Sequence, residues 1–462
     1  MGINIKSNVL SNYMATVPDL NSIYADDEEM TPERALRIGK MIGCSFKTVS
    51  IGMDANPSSK MIKNSVISGL ISMGADVKDV GMIPDAVIPS TFPDNECIVT
   101  ISEPNKQGVI SKINIFNPDG SIFTKEQTRQ LIKVGENEQR MPSYKDVGVL
   151  SQCNSAIEEY FDMMIKRHGV CNETPIILDC GCGCTSLCAP HILSAMNADL
   201  TTINAQIGTK FSSRPPGVEE DCLQTLTNTV SCNVGSIGIA LNGNGTRLAL
   251  VDEGGKYVNP ELMISLVLLY LRPSSLVVPI NTSAVIDDAF NDLIGEGLNT
   301  PNKSNIEHRI YRTNNDLEHV TQMMKEKNAD IGVLDDGTMI FSDISMCPDA
   351  INAAAILTKM SGENSIKNLL ASFPKYVLLK ESIQHTGNPD IFGKKLTEKL
   401  IGLNEEGVWQ ADGWRTDMDH GRFTISRSNE FGKLIEITAE SKDRAYAVSM
   451  MELAKEIVHS CM

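Results

Sequence analysis

Two stretches of this 462-residue chain carry side chains whose types and spacing suit chemistry. The first is Asn242-Gly243-Asn244-Gly245-Thr246-Arg247, set between the apolar runs Ile237–Leu241 and Leu248–Val251. Two short β-type runs joined by a tight, glycine-interrupted polar loop read as strand, loop, strand, which would hold these side chains in a fixed array. Asn-Gly pairs are good turn formers. Glycine also leaves the preceding carboxamide open to backbone attack, so Asn242 and Asn244 are candidates for deamidation. The second stretch is Cys180-Gly181-Cys182-Gly183-Cys184, followed by Cys188 and His191. Soft thiolates favour Zn²⁺ or an iron–sulfur cluster, and a glycine-rich turn could converge them. The C-x-C-x-C spacing departs from the C-x₂₋₄-C pairing of zinc sites, however. On a strand-to-helix turn, alternate cysteines serve equally well as small buried hydrophobes. His308, His319, His385 and His420 show no ligand spacing.

The elements that must position these groups follow from hydrophobic periodicity and cap signals. Thr31-Pro32-Glu33 predicts a helix start, with Thr able to cap exposed amides and Pro pre-set for the first turn. Residues 47–54 read as a strand. A second helix is expected from Ser58 or Ser59, with Ile62, Val66, Leu70 and Met73 forming one apolar stripe. Strands follow at 77–80 and 98–101. The pattern recurs with a strand at 175–178, a helix at 186–196 and the strand at 237–241, then again with a helix near Pro260 and strands at 275–280 and 331–334. Such alternation predicts α/β layers with a largely parallel sheet. After Pro374 it weakens. Strands at 422–425 and 433–439 and a closing amphipathic helix at 443–458 predict a separate α+β domain.

Composition sets the outer bounds. The length calls for several domains, and 42% hydrophobic with 21% charged residues reads as globular and soluble. A formal net charge of −17 with no Lys/Arg block excludes nucleic acid as a partner. The longest apolar stretch, near 262–271, is too short to span a bilayer, so no membrane partner is expected. Twelve cysteines without a secretory signal place the chain in a reducing cytoplasm.

The loop 242–247 resembles the metal loop of the α-D-phosphohexomutases, where the same frame reads Asp-Gly-Asp-Ala-Asp-Arg. The similarity, closest to the phosphoglucosamine mutase, phosphomannomutase and phosphoglucomutase branch, covers nearly the whole chain. It is carried by Thr31-Pro32-Glu33-Arg34-Ala35-Leu36-Arg37-Ile38-Gly39, by Gly74-Ala75-Asp76-Val77 and by Phe116-Asn117-Pro118-Asp119-Gly120. Phe211-Ser212-Ser213-Arg214-Pro215-Pro216 and Ile435-Glu436-Ile437-Thr438-Ala439-Glu440 carry it further. The resemblance implies four domains around a central cleft, three similar α/β domains (1–150, 151–256 and 257–371) and an α+β domain (372–462). It implies a serine nucleophile that relays a phosphoryl group between positions 1 and 6 of a hexose or hexosamine, with Mg²⁺ beside it.

The functional loops depart from that pattern. Family Thr-Ala-Ser-His-Asn-Pro becomes Thr100-Ile101-Ser102-Glu103-Pro104-Asn105, which keeps Ser102 as the nucleophile but sets a carboxylate next to it. A phosphoserine needs opposite charge nearby to hold and transfer its phosphoryl group. The metal positions are Asn242, Asn244 and Thr246, with Arg247 the one match; three formal negative charges are gone, whereas Mg²⁺ prefers anionic oxygens. The first-domain Arg-Asp-Thr-Arg is Met53-Asp54-Ala55-Asn56, and the N-terminal Arg falls at Ser11. The sugar loop falls at Leu334-Asp335-Asp336-Gly337, giving Asp335 and Asp336 as substrate-binding positions. The phosphate clamp falls at Arg427-Ser428-Asn429, followed by Glu430 and Phe431.

Three readings follow. In the first, the chain is a catalytically degenerate homologue acting as a sugar-phosphate binder, regulator or subunit, with no cofactor and with a protein or an active mutase paralogue as partner. In the second, it is an active phosphosugar mutase working through phospho-Ser102 and Mg²⁺, an isomerase of carbohydrate metabolism. In the third, it is a thiol-based metal or redox protein that holds Zn²⁺ or an iron–sulfur cluster at Cys180, Cys182, Cys184 and Cys188.

Overall fold

A computed structural model describes residues 30–92, 95–102, 111–137, 143–208, 214–291, 308–385, 389–403, 408–410, 413–427 and 434–462. Expectations placed on Ser11, Glu103, 211–213, Ser428 and Asn429, and on the side chain of Arg427, lie outside the described residues. Among those described, fourteen α-helices and four sheets make a mixed α/β architecture with several α/β domains. The chain forms two compact units, Met1–Val258 with Thr338–Ile366, and Asn259–Gly337 with Lys367–Met462.

The first unit holds two sheets. One contains β1 (Thr48–Met53), β2 (Asp76–Met82), β3 (Cys97–Ser102), β4 (Lys112–Phe116) and β5 (Leu150–Gln152) in the order β4-β3-β1-β2-β5. Parallel pairing joins β3, β1, β2 and β5, while β4 returns antiparallel on β3. Every residue of β3 is buried, as expected of a strand covered on both faces. The other sheet contains β6 (Thr174–Asp179), β7 (Ala198–Ile203), β8 (Ile237–Leu241), β9 (Leu248–Val251) and β10 (Tyr257–Val258) in the order β10-β9-β8-β6-β7.

Local signals explain the first helices. α1 (Pro32–Ser45) is capped by Thr31, whose Oγ1 accepts from the Arg34 N–H at 3.3 Å. α2 (Pro57–Ser72) starts one or two residues earlier than the sequence reading, because Asn56 is its cap. Ser58 and Ser59 instead reach Ser111 at 2.7 and 2.8 Å, and Ser59 Oγ also donates to Asp54 at 2.5 Å. The helix read at 186–196 is two pieces, a 3₁₀ turn at Cys184–Leu187 and a helix at Ala189–Ala195, separated by the non-helical backbone of Cys188 (φ −133°).

In the second unit, β11 (Ser275–Pro279) lies between β12 (Arg309–Thr313) and β13 (Ile331–Val333), all parallel. A fully antiparallel sheet, in sequence β15 (Val377–Gln384), β19 (Leu434–Ser441), β18 (Gly421–Arg427), β17 (Gly413–Met418) and β16 (Val408–Gln410), packs one face against Arg444–Cys461. The intervening β14 (Met339–Phe341) belongs to the first unit, as does the buried helix Ala350–Glu363. Among the described residues no helix is long and apolar enough to cross a membrane.

Candidate functional site

The hairpin partners β8 and β9 end at the facing pair Leu241 and Leu248, and the six residues between them form the loop expected from the sequence. Gly245 turns the loop with φ +78°, and a Cβ there would lie 2.9 Å from Thr185 Cγ2, so both conformation and space call for glycine. Asn242 is buried. Its Oδ1 accepts from the backbone N–H groups of Thr246 and Arg247 at 2.9 and 3.0 Å. Its Nδ2 donates to Asn244 Oδ1 at 2.9 Å and to Thr246 Oγ1 at 3.0 Å. Thr246 Oγ1 in turn donates to Asn244 Oδ1 at 3.0 Å. Both carboxamides are thereby anchored, which opposes the free rotation that deamidation at an Asn-Gly pair requires. Magnesium wants anionic oxygens near octahedral geometry. These residues offer neutral donors already committed to one another, and they do not fit it.

The loop is joined to the first sheet through Asp85. Asn244 Nδ2 donates to Asp85 Oδ2 at 2.8 Å, and the Asp85 backbone N–H donates to the Asn244 carbonyl at 3.1 Å. Asp85 is buried, and that burial, reinforced by the Asp54 carboxylate, raises its pKa to about 7 against the opposing help of Thr100, Asn244 and Lys112. Thr100 lies on β3 two residues before Ser102, hence on the same face. Asn114, on the neighbouring β4, donates to Ser102 Oγ at 2.9 Å and to Thr100 Oγ1 at 3.4 Å. Ser102 and the metal-loop positions are thus ends of one polar chain running through Thr100 and Asp85. Sequence reasoning missed Asp85 and Asn114. The available signal for Asp85 was a lone carboxylate between Pro84 and the apolar run 86–88.

The cysteine turn packs under the same loop. Cys180, Cys182, Cys184 and Cys188 are all buried. Burial pushes the Cys180 thiol up to about 12 and the thiols of Cys184 and Cys188 higher still, which keeps these three thiols protonated. Cys184 Sγ donates to the Gly243 carbonyl at 3.2 Å. Among the described residues the one set of three metal-ligating side chains that converge is Asp316, Glu318 and His319, so the four cysteines do not gather into a thiolate cage. Arg214 braces the turn from outside. Its Nε meets Asp179 Oδ2 at 3.0 Å, its Nη1 donates to the Pro215 and Gly217 carbonyls, and its Nη2 donates to the Leu241 carbonyl at 2.8 Å.

Arg247 approaches Glu219 at 3.5 Å. In the second unit, Asp335 accepts from Asn281 Nδ2 at 2.9 Å, while Asp336 is exposed. That unit also has a cavity of about 630 Å³ lined by Arg312, Arg415 and Arg422 and by Tyr376 and Tyr446. Its arginines are paired with acids, Asp287 half-buried and Glu440 buried. Asp287 accepts from Arg312 at 2.5 Å and from Arg415 at 2.7 Å, and Glu440 accepts from Arg422.

Two models of the phosphoglucomutase/phosphomannomutase family match the chain, alpha/beta/alpha domain I over residues 19–141 and alpha/beta/alpha domain II over residues 155–255. A probable phosphoglucosamine mutase of Methanocella arvoryzae is 28% identical over 436 residues, which is 94% of this chain and 95% of that protein. A phosphoglucomutase/phosphomannomutase family protein from Burkholderia thailandensis superposes with a TM-score of 0.78 at 17% identity, covering 94% of this chain and 95% of its own. Aspergillus fumigatus N-acetylphosphoglucosamine mutase, solved with GlcNAc-6P and magnesium, has a TM-score of 0.52 at 13% identity over 90% of this chain and 77% of that one. The fold is that of the four-domain phosphohexomutases. The two domain models, the phosphoglucosamine mutase relatives and the solved structures together support the α-D-phosphohexomutase superfamily for this chain.

Proposed function

We propose that this protein is a catalytically degenerate phosphohexomutase-family member that binds a hexose or hexosamine phosphate, as a regulator or subunit, without metal-assisted phosphoryl transfer. The observation that carries this reading is the loop 242–247, whose three ligand positions are neutral and hydrogen-bonded to one another. Phosphoryl transfer is catalysed almost entirely by positioning and by charge stabilisation, with the metal bridging and neutralising the phosphoryl oxygens. A site without that charge loses most of the means to move a phosphate. The ligand class is supported by relatives described as phosphoglucosamine mutases and by the fungal mutase solved with GlcNAc-6P.

One observation favours a second reading, an active mutase. Ser102 stands at the end of β3 with its Oγ oriented by Asn114 at 2.9 Å. Mass spectrometry of fresh protein, before and after incubation with hexose 1,6-bisphosphates and Mg²⁺, separates the two. The expected result is an unmodified Ser102, together with a Tm rise of about 4–8 °C in saturating hexosamine or hexose phosphate, equal in EDTA and in Mg²⁺. A phosphoserine at 102 that turns over establishes the mutase instead. A flat thermal response to every phosphosugar leaves a role toward a protein partner or an active paralogue.

A further inference from the structure

We infer that the carboxamide nitrogen of Asn242 takes the place of a divalent cation, making the 242–247 loop a metal-free lock. The orientation of this side chain is set by the backbone. Two main-chain N–H groups, those of Thr246 and Arg247, point at one of its terminal atoms at 2.9 and 3.0 Å. A backbone N–H needs an acceptor, so that atom is the oxygen. The other terminal atom is therefore an NH₂ group, and it faces Asn244 Oδ1 and Thr246 Oγ1 at 2.9 and 3.0 Å. Its two hydrogens go to those two oxygens, the positions that would otherwise turn toward an ion. A cation entering between them would meet N–H bonds from Asn242 in place of a lone pair, and would have to break both.

The remaining valences close as well. Thr246 Oγ1 donates its proton to Asn244 Oδ1, and Asn244 spends an N–H on Asp85 Oδ2 at 2.8 Å. The lock therefore ties the second sheet's hairpin to Asp85, three residues past the end of β2. Aspartate at 242 would set a second oxygen against Asn244 Oδ1 and against a threonine hydroxyl whose proton already goes to Asn244, an arrangement that an ion relieves. An amide at 242, with Asn244 and Thr246 as its partners, thus gives a loop that closes by itself. This inference concerns the loop's architecture, and it stands whether or not a phosphosugar binds.

The test uses the full chain and Mn²⁺ as the spectroscopic probe. Electron paramagnetic resonance titration of the wild-type protein should show no saturable Mn²⁺ binding, and its Tm should be the same in EDTA and in excess Mn²⁺. Asn242→Asp should melt below wild type in EDTA and recover by about 3–6 °C in Mn²⁺, with one Mn²⁺ bound per chain. Asn242→Asp combined with Asn244→Asp and Thr246→Asp should bind the ion at least tenfold more tightly than the single variant. If wild type binds one Mn²⁺ and Asn242→Ala abolishes that binding, the inference is overturned. It is equally overturned if Asn242→Asp folds and remains indifferent to Mn²⁺. Should the variants fail to fold, the wild-type titration decides, with Asp316→Asn showing whether any bound ion sits instead at Asp316, Glu318 and His319. Phosphosugar binding is scored separately by thermal shift in EDTA, so loss of either result leaves the other standing.

Discussion

Asp85 shows what a single side chain adds to this site. Its carboxyl, buried beside Asp54, has a pKa raised to about 7, well above the value near 3.9 of an unfolded aspartate. A folded state that binds a proton more tightly than the unfolded chain is stabilised where both are protonated. Asp85 therefore contributes fully below about pH 4, and that contribution is lost as pH rises through about 7. Asp85→Asn keeps an oxygen for Asn244 and removes the titration. Urea unfolding at pH 5 and pH 8 should show wild type losing ~1–3 kcal/mol more than Asp85→Asn over that rise. Parallel pH profiles for the two proteins would refute the assignment. Asp349, buried with its pKa raised to about 6 and hydrogen-bonded by Tyr160, acts in the same direction and is common to both proteins. In the sequence Asp85 is one acid among many, because nothing local marks a carboxylate whose partner lies 159 positions away.

At the scale of elements, α1 and α2 cross at two glycines. A Cβ on Gly39 would lie 2.2 Å from the Val66 carbonyl oxygen, and one on Gly69 would lie 2.2 Å from that of Leu36. Backbone cannot yield as a flexible side chain can, so Gly39→Ala should cost about 1–3 kcal/mol of unfolding free energy. A smaller loss, or none, would mean that the helices slide apart freely. Both helices were legible from cap residues and an apolar stripe, signals that lie within a few residues of each other. Their close approach to each other was not, since it depends on which small residues meet. The cysteine turn is similar. Its strand could be read locally, its helix only as one run where the fold has two pieces, and the choice between thiolate cage and packed interior was made by burial and by the geometry of the turn.

Across the whole molecule, polar contacts join elements as much as apolar cores do. In the second unit Arg415, on β17, is almost fully buried. It donates to Asp287 at 2.7 Å, to Asp417 at 2.8 Å and to the Thr282 carbonyl at 3.1 Å, which ties the antiparallel sheet to the β11 layer. Removing one member of a buried charge network strands the others. Arg415→Met should lower the stability of that unit by about 3–5 kcal/mol, read as earlier cleavage of residues 259–337 and 367–462 in limited proteolysis. Unchanged protection would show the network to be dispensable.

The sequence by itself determined the layered α/β architecture, because alternating apolar runs, helix caps and glycine turns act over short distances, and its motifs carried the family resemblance. It also determined that the loop 242–247 carries two amides and a hydroxyl where the resemblance implies carboxylates, a matter of residue identity alone. Only the tertiary structure decided what those amides do. The direction of the Asn242 carboxamide depends on two backbone N–H groups folded back around it, and the anchor for Asn244 is on another sheet. Hydrogen-bond partners are a property of closed space, and a hairpin has to close before a nitrogen can stand where a metal ion would be.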